Sequence, residues 1–250
     1  MTLREHRGQM AKQIRNPNER GGFVWILSLI AISLAASGVC RWAAGSSLGL
    51  FFGGLFVVTF LMPAGVLGSG NLRQAFIGLA AVAGPVAIVW LNPVQRGSDT
   101  PGEWAQSVLV LATYSVAIGG IALVLERARW PVVFAAALSI FLGLAWLAWP
   151  IWLPRILVNN GLGGVVRKLV AVSPPLTING ILTGEPAWTE RSLAYHLTDL
   201  NQDVPIELPV NAVPCAAMHG LLGLVLWSAA MAWPSKSAGR RFENVGNPLE

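Results

Sequence analysis

Six apolar runs, at about 22–41, 47–68, 74–91, 104–125, 131–153 and 211–233, constrain this chain more than any other feature. A helix needs roughly 20 residues to cross a hydrocarbon layer about 30 Å thick, and each run is close to that length. Backbone amides inside lipid find no water, so a spanning segment must satisfy them internally, as a helix does. None of the runs alternates in the manner of membrane barrel strands. Charged residues make up only 12% of the 250, about half the share of a soluble domain. The expected fold is an all-α integral membrane protein, a bundle of six transmembrane helices. Gly84-Pro85 is expected to interrupt the third, shortest run.

Lysine and arginine placement sets the orientation. With the N-terminus in the cytoplasm, the inner segments carry eleven basic residues, and the short outer loops only Arg41 and Arg96. Cytoplasmic loops hold such an excess, so both termini are expected inside, in a plasma (inner) membrane. Residues 1–21 form a cytoplasmic basic N-terminal segment, 22–153 hold the first five spans, and 154–210 make a long extracytoplasmic loop. The sixth span covers 211–233, and 234–250 are a cytoplasmic tail. Arg4, Arg7, Lys12, Arg15 and Arg20 precede the first run, where they mark topology and suit anionic lipid rather than nucleic acid. In LREHRGQMAKQIRN, Leu3, Met10 and Ile14 share one face, the pattern of an interfacial helix that NPN at 16–18 would end.

The 154–210 loop has order of its own. Trp146, Trp149 and Trp152 suit the membrane boundary as the fifth helix exits, and Pro150 and Pro154 are expected to break that helix. GGVVRKLVAV reads as a short amphipathic helix stopped by SPP. TERSLAYHLTDLN reads as another, capped by Thr189, with Leu193, Leu197 and Leu200 on one stripe. A segment of this size cannot bury a sufficient core alone, so it is expected to rest on the membrane helices as a lid or vestibule wall. Asn211 is the expected cap of the sixth helix.

Chemistry-bearing side chains are few. Charges placed inside a membrane mark ion and proton pathways, and the runs hold essentially none; Arg41 lies at an exit end. His219, inside the sixth run, reads first as a neutral histidine bonded to a neighbouring helix. Cys215 lies one turn before it, and His196 in the loop could complete a small metal site. His219 on a sixth helix is also similar to the histidine of rhomboid intramembrane proteases, but TYSVAIGG around Ser115 lacks that family's G-x-S-G setting. Cys40 and Cys215 both fall near the outer face, and would allow a disulfide if their helices touch. The pairs Gly49/Gly53, Ala80/Gly84 and Ala216/Gly220 are four apart, a spacing that lets helices approach closely; Gly119-Gly120, Pro63 and Pro85 offer kinks. No nucleotide-binding loop and no cofactor motif is present.

In outline the chain resembles the membrane subunit of ABC-2-type exporters. LREHRGQMAKQIRN stands where that family has an amphipathic helix before the first span. The stretch from GGVVRKLVAV to IELP stands where it has short helical or re-entrant pieces between helices five and six. The resemblance implies a permease that dimerises and borrows a separate ATPase, with Arg4, Arg7, Lys12, Arg15 and Arg73 facing that partner. GSGNLRQAF, between the second and third runs, lacks the acid-bearing segment with which the family couples to its ATPase. The alternatives are a structural or assembly subunit of a membrane complex and, third, an intramembrane enzyme dependent on His219.

Overall fold

The computed structural model describes residues 17–44, 47–69, 71–95, 99–182 and 207–233, and among these no residue lies in a strand. Five helices are long and apolar enough to cross a membrane: α1 (Pro17–Ala44), α2 (Ser47–Val66), α3 (Leu72–Val89), α5 (Pro101–Arg127) and α10 (Val213–Ala232). A short α4 (Leu91–Gln95) extends α3, so that Leu72–Val94 forms one candidate span. A sixth crossing requires α6 (Val132–Leu147) and α7 (Trp149–Asn159) together, a pair bent by 64° at Ala148. Large apolar side chains, among them Phe60, Ile88, Val133, Phe141, Leu221 and Val225, point outward and stay exposed. A water-facing surface rarely gathers so many, and the molecule is a multi-pass membrane protein.

Local chemistry places the helix ends. Thr100 and Glu103 form a capping box at the start of α5: the Thr100 hydroxyl accepts from the Glu103 amide at 3.2 Å, and the Glu103 carboxylate accepts from the Thr100 amide at 2.6 Å. The C-terminus of α5 closes in a Schellman turn, with Trp130 N–H donating to Leu125 O and Arg129 N–H to Glu126 O. Arg129 adopts φ 68° there, a left-handed position usually given to glycine. Asn71 caps α3 by accepting from Gln74 N at 2.9 Å. Asn211 accepts from Val213 N at 2.8 Å, one residue from its expected role, because the helix begins after Ala212.

The expected interruption at Gly84-Pro85 is absent, because Pro85 lies inside the continuous α3. Pro63 and Gly119-Gly120 likewise lie inside continuous helices, α2 and α5. The fifth helix breaks at Ala148 rather than at the prolines: Pro150 opens α7 and Pro154 sits within it. A proline in a first turn has no intrahelical amide partner to lose. Residues 154–159, assigned to the loop from sequence, are therefore helical. Of the predicted segments, LREHRGQMAKQIRN and TERSLAYHLTDLN lie outside the described residues.

At the centre α2 and α5 pack together, with α1 and α3 against α2, and with both α6 and α10 against α5. Of the glycines in the expected pairs, Gly53 admits a close approach, since a methyl on it would stand 2.6 Å from Cys40 Cβ where α1 meets α2; the other tight approaches fall on glycines outside those pairs. A methyl group on Gly78 would overlap the Gly65 carbonyl, so α2 and α3 meet backbone to backbone. A methyl on Gly223 would stand 2.6 Å from Val116 Cγ1, where α10 meets α5. Gly84 has nothing within 4 Å of such a methyl, and Gly220 only an ordinary contact at 3.6 Å. Gly78→Val should destabilise the bundle by about 1–3 kcal/mol or more through overpacking, whereas Gly84→Ala should be neutral or stabilise by up to about 1 kcal/mol. Unfolding in mixed micelles, followed by helical ellipticity, checks both.

Candidate functional site

The segment after α7 runs along the surface first and then turns inward. Gly161, at φ 73°, ends α7 in a second Schellman turn, and the chain continues as α8 (Gly163–Val172) and α9 (Pro174–Ile181). Val166 and Val170 of α8 pack with Trp149 and Leu176 in a small apolar cluster. The sequence predicts α8, but SPP, expected only to stop it, also starts the next helix, with Ser173 shared between them. Every residue of α9 is buried, and the helix rests on α2 and α5. Ile178, Ile181 and Leu182 belong to the main core. The returning chain then crosses α9 so closely that a methyl on Gly180 would overlap the Pro209 carbonyl. The start of α10 is held by the Gln106 side chain, which accepts from Ala212 N at 3.2 Å.

A chain of polar contacts links α8 and α9 to the long helices. His219 Nδ1 lies 2.8 Å from the Cys215 carbonyl, and Trp146 Nε1 donates to His219 Nε2 at 3.0 Å. An indole nitrogen can only donate, so Nε2 is the acceptor, Nδ1 carries the proton, and the ring is the neutral tautomer. Cys215 Sγ donates to the Val172 carbonyl, the last of α8, at 3.3 Å. Thr177 of α9 faces the same thiol. Thus α6, α10, α8 and α9 meet around one histidine and one cysteine. The tryptophan, placed at the membrane boundary from sequence, is the partner that sequence reasoning misses; it stands 73 residues from His219.

Beneath lies a second polar knot. Thr59 Oγ1 bonds the Leu55 carbonyl at 2.8 Å and stands 2.7 Å from Tyr114 OH. With the threonine proton on Leu55, the tyrosine donates to Thr59, and the 3.4 Å approach to Gly143 O is the weaker alternative. A methyl on Gly143 would stand 2.7 Å from Thr59 Cγ2, so the glycine admits this contact. Tyr114, Leu142, Trp146 and His219 help line a cleft of about 160 Å³ between α5, α6 and α10.

Other sequence candidates fall elsewhere. Ser115 is buried and donates to Leu111 O at 2.6 Å, a bond within its own helix. Cys40 packs against Gly53 of α2 while Cys215 meets α8, and both are free thiols. His196, Arg4, Arg7, Lys12 and Arg15 lie outside the described residues. Among the described residues no three histidine, cysteine or acidic side chains gather at metal-binding distance. Arg73 lines a cavity of about 800 Å³ at the α2–α3 turn, walled also by the start of α1. The turn is tight: Gly68 adopts φ 75° and donates to Glu126 Oε1 at 3.1 Å.

Compared with known proteins, the chain matches no family model, no curated protein and no solved structure.

With both ring nitrogens engaged, His219 is placed to fix helices rather than to take a proton. Trp146→Phe leaves Nε2 a buried acceptor without a donor, which costs about 1–3 kcal/mol. A double-mutant cycle of Trp146→Phe with His219→Phe should return a coupling of at least about 0.5 kcal/mol. Additive losses in micellar unfolding would deny the contact.

Proposed function

We propose that this chain is a transport-type membrane subunit, a permease half that pairs with a second copy and draws its energy from a separate ATPase. The observation that supports the reading is the α8–α9 return. Backbone that re-enters at membrane depth is tolerated only where protein buries it or a water-filled path runs beside it. Transporters use such pieces to close one end of a passage. Here the piece follows a broken span, sits over α2 and α5, and is tied to α10 by a thiol–carbonyl contact. The place in the chain is that of the re-entrant pieces in ABC-2-type exporters, an argument from analogy.

The α2–α3 connection limits how such a partner could engage. Five residues, 67–71, join α2 to the Asn71-capped start of α3, with Gly68 held to Glu126, and the described ones among them form no protruding element to grip. In this reading the basic segment carrying Arg4, Arg7, Lys12 and Arg15 makes the cytoplasmic contact, with both termini on that side. The same short turn favours a second reading, a non-transporting subunit whose outer loop docks a larger membrane complex.

Affinity purification of the full chain from its native membrane in mild detergent discriminates these. Recovery of two copies with an ATPase subunit is the expected result. A stable monomer with no ATPase contradicts the proposal, and a large complex without an ATPase selects the assembly role.

A further inference from the structure

The cavity at the α2–α3 turn has an apolar half and a polar rim. Its volume, about 800 Å³, falls in the range of roughly 300–1,000 Å³ usual for small-molecule sites. Trp25, Ile26 and Leu29 of α1 form one wall and Ile77 of α3 stands among the others, while Ser69 and Arg73 bring polar groups to the lining. Gly65 and Gly78, where α2 and α3 touch, also line it, and Gly22 leaves open space at the α1 wall.

Among the described residues, the lining includes Arg73 and no carboxylate. Glu126, which reaches the same turn from α5, accepts from the Gly68 amide. Arg73 is the second residue of α3, in the first turn, where amides lack intrahelical acceptors and the helix end is electropositive. Because α2 ends at Val66 and α3 begins at Leu72, the rim lies where hydrocarbon gives way to headgroups. Trp25 and Phe23, both exposed, are aromatic residues suited to that depth.

We propose that this cavity binds an anionic phospholipid of the leaflet at this end of the bundle. Arg73 pairs with the headgroup, and the upper acyl carbons lie against Trp25, Ile26, Leu29 and Ile77. A basic pocket between membrane helices is a recognised means of holding such lipids. The inference rests on the cavity's own residues and stands apart from the transport reading.

Native mass spectrometry of the full-length protein, released from micelles doped with dioleoyl phosphatidylglycerol or dioleoyl phosphatidylcholine, tests it. One cation near the surface contributes about a fivefold preference, so wild type should retain phosphatidylglycerol about fivefold better. Arg73→Gln should abolish the preference and Arg73→Lys should keep it. Gly22→Phe, whose new side chain starts in open space, should reduce retention of both lipids, and with Arg73→Lys it decides the matter if Arg73→Gln does not fold. No preference in wild type, an undiminished preference in Arg73→Gln, or unchanged retention in Gly22→Phe overturns the proposal. Displacement of the lipid by inorganic phosphate assigns the cavity to the free anion and overturns it equally.

Discussion

Every peptide group in this molecule that lies in hydrocarbon must find its partner within the protein, and the architecture follows from that requirement. For five spans a single helix suffices. The α6–α7 pair, which would together make a sixth crossing, is bent at Ala148, and the chain then turns back as α8 and α9. Two short helices joined at Ser173 leave more ends than one long helix, and each end exposes amides or carbonyls. Burial of all of α9 against α2 and α5 keeps those groups away from lipid. The Cys215 thiol takes the Val172 carbonyl, one of the acceptors that the end of α8 leaves over.

The interior is held by packing and a few polar ties, without internal charge among the described residues. Lipid tails are as apolar as leucine, so burying leucine between spans gains little; close contact between small residues and hydrogen bonds across helices must hold the bundle. The Gly65–Gly78 approach supplies the first. Trp146–His219, Tyr114–Thr59 and Trp227–Val116, the last at 2.9 Å, supply the second. Because the histidine and the cysteine serve this purpose, their presence in a span does not require catalysis to explain it.

Much of the frame was legible from run lengths, because the hydrocarbon thickness is a fixed ruler and all five long helices overlap their predicted runs. The amphipathic α8 was legible too, since valines spaced by four mark one face. The conversion of SPP from a stop to a start was not. A serine followed by prolines is as good an N-cap and first turn as it is a terminator, and only tertiary burial decides. Small-residue spacing served only in part: Gly53 does admit Cys40, but Gly84 and Gly65 look alike in sequence and only Gly65 meets a neighbouring backbone. The Trp146–His219 bond spans 73 positions and leaves no local trace.

The central claim is that α9 returns into the bundle instead of lying in water. Single cysteines placed at Gly164, Lys168, Leu176 and Ile178, in a background with Cys40→Ala and Cys215→Ser, measure this directly with a membrane-impermeant maleimide on intact vesicles. Positions 164 and 168, exposed on α8, should react quickly. Positions 176 and 178, fully enclosed, should react only after denaturation. Equal labelling at all four positions would contradict the account.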